Sequence, residues 1–163
     1  SEKSNLIVLP SAITLKSGDI GMKLITLEHR RELPEIKTLN YIVPINALPK
    51  MKAAGADDVL YHLNGEVSEM SRSNIFIVKN EKIITPTEGV LLGITRKNVL
   101  AVAKQNFEVE ERPLMLNELF EADEVFTTGS TKRVTFIEKI DQKTWERGKV
   151  TAKLQNLILG LEK

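Results

Sequence analysis

The two-residue step Asn64-Gly65, set directly after the β-rich run Asp58–Leu63, does most to constrain the fold. Asn-Gly takes the positive φ angles of a tight hairpin more readily than almost any other pair. A second turn, Asn80-Glu81, separates Asn74–Lys79 from Lys82–Thr85, again two short runs rich in β-branched residues. Further strands are expected at Asn5–Ala12, Gly21–Glu28, Phe107–Arg112, Glu124–Thr128 and Arg133–Ile140. Helical periodicity intervenes at four places. Thr95–Gln105 carries Val99, Leu100, Val102 and Ala103 on one face, and Gly148–Gly160 carries Val150, Leu154, Leu157 and Ile158. Tyr41–Ala54 is helical by its spacing of Ile42, Ile45, Leu48 and Met51, with a kink expected at Pro49 and a stop at Gly55. Leu116–Ala122 reads as a short helix. Strands and helices alternate irregularly, and no repeat or low-complexity linker divides the chain. The expectation is one compact domain of mixed α/β (α+β) class.

Composition narrows the function classes. A chain of 163 residues that is 42% hydrophobic can bury a core without staples. The absence of cysteine excludes disulfides, thiolate metal sites and a cysteine nucleophile. Two histidines, His29 and His62, argue against a histidine-rich metal site, and both read as ordinary strand residues. With 23 basic and 22 acidic residues the formal charge is +1, which gives no electrostatic reason to expect nucleic acid. No apolar run approaches the roughly 20 residues of a membrane span, no signal peptide is visible, and a cytoplasmic location is expected. The chain opens Ser-Glu-Lys without an initiator Met, which suggests a processed chain or a piece of a longer one. Trp145 reads as a packing anchor for the last helix, and Met51 and Met115 as core filler.

Four places could carry chemistry. Lys37 lies between an extended segment and a helix start; it is either a solvated surface lysine or an amine desolvated enough to attack a carbonyl. Gly65–Asn74 gathers Glu66, Glu69, Arg72, three serines and Asn74. This is either a polar connecting loop or a carboxylate held against a protonated ring nitrogen. Gly93-Ile94-Thr95 opens the clearest helix; Thr95 could simply be its N-cap, or the free N–H groups could receive a phosphate. Thr127-Thr128-Gly129-Ser130-Thr131 is a turn of small polar residues that could supply hydroxyls and amides to the same phosphate.

Their order is more telling than any one of them. With Ile36-Lys37-Thr38-Leu39-Asn40, Val67-Ser68-Glu69, Ser73–Val78, Gly93-Ile94-Thr95-Arg96 and Ala122–Phe126 in sequence, the chain resembles the class IV aminotransferases. These are pyridoxal 5'-phosphate enzymes that include branched-chain and D-amino-acid aminotransferases and aminodeoxychorismate lyase. The Ala54–Asp58 and Val109–Leu114 segments also match the family, and the resemblance runs from about residue 5 to the C-terminus.

The resemblance implies a fold-type IV pseudo-barrel domain and a set of roles. Lys37 would form the Schiff base with the cofactor and shuttle the proton. Glu69 would face the pyridine nitrogen, Leu91 the ring face. Ile94 and Thr95 would form the phosphate cup, with Ser130 and Thr131 as its other wall. Tyr41 stands where branched-chain enzymes place a tyrosine near the cofactor, and Arg30 could approach the phosphate. Arg72 is the candidate clamp for a substrate carboxylate, against the plainer reading of a surface arginine paired with Glu66 or another local acid. No metal is implied. The match covers only the C-terminal part of family members. In them the N-terminal domain supplies an arginine to the phosphate and much of the substrate pocket, some of it from the neighbouring subunit of a homodimer. The implied activity is transamination between an amino acid, branched-chain or D-, and a 2-oxo acid, with the isolated piece a poor catalyst. The alternatives are an aminodeoxychorismate lyase that eliminates pyruvate, and a non-catalytic domain with an assembly role.

Overall fold

The computed structural model describes residues 7–10, 12 and 18–161. Among these described residues, ten strands and five helices follow in chain order. They are β1 Met22–Glu28, α1 Ile42–Asn46, α2 Leu48–Ala54, β2 Asp58–Leu63, β3 Glu66–Met70, β4 Asn74–Lys79 and β5 Lys82–Thr85. Then come α3 Ile94–Ala103, β6 Val109–Glu111, β7 Leu114–Met115, α4 Leu116–Phe120, β8 Glu124–Gly129, β9 Arg133–Ile140, β10 Lys143–Thr144 and α5 Lys149–Leu161. The mixed α/β class expected from the sequence is the one observed.

Strand order along the sheet is β6-β5-β4-β8-β9-β1-β2-β3-β7, with β10 added on β9. An additional pairing joins β3 to β4, through Glu69 opposite Asn74. That pairing closes β4-β8-β9-β1-β2-β3 into a ring, the pseudo-barrel. Strand β1 lies parallel to both β2 and β9, whereas β2–β3, β4–β8 and β8–β9 are antiparallel. The ring's closure therefore falls at the very residue expected to face the cofactor ring.

Both faces of the central strands are buried, which explains the unbroken apolar run Ile75-Phe76-Ile77-Val78. Successive side chains point to opposite faces. Ile75 and Ile77 enter one core with Leu24, Leu60, Met70 and Ile137. Phe76 and Val78 enter another against Val99 of α3 and Leu154 of α5, with Phe76 stacked on Phe126 at 4.9 Å. A third cluster packs Met51 of α2 and Ala47 on Ile25, Val59 and Tyr61.

Several expectations are corrected. Of the expected Asn5–Ala12 strand, residues 5, 6 and 11 lie outside the described residues, and residues 7–10 and 12 belong to no strand. The expected Tyr41–Ala54 helix is two helices broken at Ala47. Pro49 lacks the N–H that a continuous helix needs, and it sits in the first turn of α2, where none is required. Gly55 ends α2 in the left-handed conformation, φ 62°. Half of the presumed loop Gly65–Asn74 is strand β3, because Val67 and Met70 bury into the core beside β2. Only Val109–Glu111 of the Phe107–Arg112 run pairs as a strand. Trp145 anchors not the last helix but the end of α4, donating its indole N–H to the Ala122 carbonyl at 2.9 Å. Met115 is 43% exposed and fills no core.

Candidate functional site

The tip Ser71-Arg72-Ser73 between β3 and β4 lies over one end of the ring, and the residues flanking it are tightly held. Glu69 is buried, and each of its oxygens has a partner. Oε1 accepts from Arg31 Nε at 2.7 Å, and Oε2 accepts from the Leu91 backbone N–H at 3.0 Å. Burial pushes its carboxyl above the ordinary range, while the Leu91 N–H and the Arg31 guanidinium pull it back. Across the same pairing, Asn74 Nδ2 donates to the Leu91 carbonyl at 2.7 Å. The backbone of Leu91 is thus gripped on both sides by the β3–β4 hairpin.

From Leu91 the chain turns into α3. Gly93 is the N-cap, and no side chain caps the helix. A Cβ on Gly93 would lie 2.8 Å from Asn74 Oδ1, so a glycine is required for this close passage. Thr95 is the second helical residue and not the cap, which corrects the reading of Thr95 as a capping residue. The first amides of a helix have no acceptor inside it, and here Ile94 and Thr95 line an open cavity. The opposite wall is the end of β8 and the turn after it. Thr128 there has a buried hydroxyl without a hydrogen-bond partner, and Ser130 and Thr131 follow it along the cavity. Lys132 Nζ ties this turn to Asp58 and to Ser73, each at 3.0 Å.

The remaining wall is the irregular segment between β1 and α1. It carries Lys37, which is exposed, and Tyr41, whose ring lies 4.6 Å beneath the Arg72 guanidinium. Arg72 therefore stacks over the cavity rather than pairing with Glu66; Glu66 is taken by Arg30 at 3.0 Å.

One cavity of about 530 Å³ joins these walls. Lys37, Tyr41, Glu69 and Arg72 line it together with Leu91, Ile94, Thr95, Ser130 and Thr131. Arg30 does not. It points the other way, to Glu66, and packs where a Cβ on Gly89 would fall 2.8 Å from its Nε. Successive residues of an extended chain face opposite sides, so Arg31, not Arg30, enters the cavity. Sequence reasoning missed Arg31; the parity of the Arg30-Arg31 pair just past β1 was the available signal. It also set aside His29, whose ring meets Tyr61 edge to face at 5.0 Å on the cavity wall. Burial and then Arg31 hold the His29 imidazole below its usual range. Burial, reinforced by Asp58 and Glu69, pushes the Tyr61 phenol up to about 12.

The chemistry of this donor set fits pyridoxal phosphate. A primary amine and a buried carboxylate share the cavity with an uncapped helix N-terminus, and an unpartnered hydroxyl sits on the facing wall. Among the described residues, no cluster of three or more His, Cys, Asp or Glu side chains could hold a metal, and no helix is long and apolar enough to cross a membrane.

Comparison with known proteins agrees with this geometry. A family model described as amino-transferase class IV matches residues 3–140, so the chain belongs to the class IV aminotransferase family. It is 44% identical over 120 residues to a probable branched-chain-amino-acid aminotransferase of Aquifex aeolicus, covering 68% of this chain and 39% of that one. Among solved structures, an aminotransferase from Brucella abortus bound to the cofactor PLP superposes with a TM-score of 0.80 at 28% identity, covering 93% of this chain and 57% of that one. A Legionella pneumophila protein with the provisional name 4-amino-4-deoxychorismate lyase gives a TM-score of 0.82 at 28% identity, covering 89% and 57%. The chain thus spans less than two thirds of the length of each of these proteins.

Proposed function

We propose that this chain is the C-terminal, cofactor-binding part of a pyridoxal-phosphate aminotransferase that moves an amino group between an amino acid, branched-chain or D-, and a 2-oxo acid. The observation that carries the reading is the convergence of Lys37, Glu69 and the open N-terminus of α3 on one cavity. The bound cofactor would supply an aldehyde for the lysine and a ring able to accept electrons from the substrate α-carbon. This chain's own residues do the rest. Lys37 Nζ takes up and returns the proton. Glu69 presents a carboxylate of fixed plane to the cavity and favours a proton on a ring nitrogen opposite it. The amides of Ile94 and Thr95, with the hydroxyls of Ser130 and Thr131, offer donors to a phosphate, and Leu91 offers an apolar side chain to a ring face. Arg72, held on Tyr41, supplies a planar fork for a substrate carboxylate.

The test is reduction with borohydride in the presence of pyridoxal phosphate. The full-length protein should gain the cofactor mass on Lys37, and Lys37→Ala should gain none. A cofactor mass on another lysine would sink the assignment. Arg72→Ala should raise KM for amino acids by roughly 10- to 100-fold, from loss of about 1.5–3 kcal/mol of charged hydrogen bonding. Amines without a carboxylate should be little affected. An equal loss for both would leave Arg72 an ordinary loop residue.

Ile42 and Ile94 line the cavity and yet are 65% and 79% exposed. This supports a protein surface over the cavity in the full-length homodimer, and slow turnover by the isolated 163-residue piece. The likeness to the Legionella protein favours one second reading, a pyruvate-eliminating lyase on the same residues. Pyruvate release from aminodeoxychorismate without any 2-oxo acid would select it. A purely assembling domain has no use for Lys37 and Glu69 on one cavity.

A further inference from the structure

We infer that Arg31 is the positioning residue that locks the Lys37 segment to Glu69, so that amine and carboxylate keep a fixed separation across the cavity. The inference rests on the reading of Lys37 and Glu69 given above. Arg31 uses three nitrogens in three directions. Nε donates to Glu69 Oε1 at 2.7 Å, Nη2 to the Pro34 carbonyl at 2.5 Å, and Nη1 to the Ile36 carbonyl at 3.4 Å. One planar group therefore spans a strand of the ring and the segment that ends at Lys37.

The segment needs such a tie. Residues 32–37 form no helix or strand. Among the described residues, their hydrogen bonds are made within the segment, to Thr38, or to Arg31. The internal ones are local, Ile36 N–H to Leu33 carbonyl at 2.9 Å and Thr38 N–H to Ile36 carbonyl at 3.0 Å. Leu33 adopts φ 49°, an uncommon conformation for a branched side chain and one that needs support from its surroundings. Lys37 itself is exposed. The position of its backbone thus depends on the carbonyls that Arg31 grips. At the other end, Glu69 is 5% exposed in its side chain and Arg31 17%, so their pair is shielded from water and its geometry is stiff. A lysine in place of Arg31 could neutralise Glu69, but it has no fork with which to hold two carbonyls as well.

The experiment uses the full-length protein with R31K and R31Q. In the cofactor-free state, hydrogen exchange at the Ile36 and Thr38 amides should accelerate in both Arg31 variants. The β4 amides should keep their wild-type protection, which verifies folding. With cofactor, R31Q should lower turnover by about 10- to 100-fold, the scale of a small misplacement of a reacting group. R31K should recover only part of the R31Q loss. Unchanged Ile36 and Thr38 exchange, or full recovery of turnover by R31K, would each overturn the inference. If R31Q does not fold, R31K alone decides by the exchange measurement. A wild-type protein that takes no cofactor on Lys37 would instead overturn the reading of the site, and this inference with it.

Discussion

Helices α3 and α5 begin in opposite ways. At the start of α5 the molecule supplies its own anion. The buried Glu124 carboxylate accepts from the Val150 N–H at 3.0 Å, the Thr151 N–H at 2.8 Å and the Thr151 hydroxyl at 2.7 Å. Gly148 leaves it room; a Cβ there would lie 1.8 Å from the carboxylate carbon. At the start of α3 no side chain caps the helix, and its first residues face the cavity. Both ends carry the partial positive charge of a helix N-terminus. One is sealed from within as part of the core. The other is left open, and a negative group from outside can take the place that Glu124 fills in α5. A plugged helix start serves stability and an open one serves binding, and each prediction below tests whether that division holds.

The largest effect is expected at the plugged end. Gly148→Ala must expel the Glu124 carboxylate and strand the donors it satisfies. Charged hydrogen bonds contribute about 1.5–3 kcal/mol each. A loss of about 3 kcal/mol or more in urea unfolding should follow, with cofactor affinity of the folded protein unchanged. A fall in affinity without a fall in stability would reverse the roles of the two ends.

The other buried carboxylate should behave in the contrary manner. Glu69→Gln keeps an acceptor for the Leu91 N–H, and Arg31 keeps its two carbonyls. Stability should stay within about 1 kcal/mol of wild type, the usual range for a conserved hydrogen-bonding shape. Removal of the substrate α-proton should slow by about two orders of magnitude, the scale of one preorganised electrostatic group. A near-normal single-turnover rate would remove Glu69 from the chemistry and make it a second Glu124.

Gly93→Ala tests the open end directly. The new Cβ would push on Asn74 Oδ1 and oblige that amide to release the Leu91 carbonyl. Loss of one net hydrogen bond, about 1–1.5 kcal/mol, corresponds to roughly tenfold weaker cofactor binding. Isothermal titration of the cofactor-free protein measures it. Unaltered affinity would mean that the Leu91–Thr95 path does not shape the site.

The contrast between the two ends was only half visible in the sequence. Short-range chemistry was legible: Asn64-Gly65 takes φ 51° and 82° as its hairpin requires, β4 and β5 match their expected bounds, and Gly55 ends α2. So were most cavity residues, because an ordered set of motifs identified them before any geometry did. What escaped depends on contacts far apart in the chain. The plug of α5 comes from Glu124, 26 residues before Val150, and nothing local marks it. Glu69 reads as part of a loop because its strand is specified by pairing with β2, β4 and β7 rather than by alternation. Arg31 escapes a reading of the sequence that does not ask which way each residue of an extended chain faces.

The smallest effects come from a matched pair of threonines. Thr151 and Thr95 both lie in the first turn of their helices, but their hydroxyls have different work. Thr151 Oγ1 donates to Glu124 and is fully buried, so Thr151→Val should cost about 1.5 kcal/mol, the lower end for a hydrogen bond to a charged group. It should leave cofactor affinity alone. Thr95 caps nothing and lines the cavity, so Thr95→Val should change stability by no more than about 0.5 kcal/mol. Its cost should appear instead as cofactor binding weakened by about threefold, one modest neutral hydrogen bond. Thermal unfolding and cofactor titration on the same two variants give a four-way result. The division stands if each variant moves one quantity and not the other. Should Thr95→Val lower the melting temperature as Thr151→Val does and spare the affinity, the start of α3 is also a structural seal, and the phosphate cup must lie on the Ser130–Thr131 side alone.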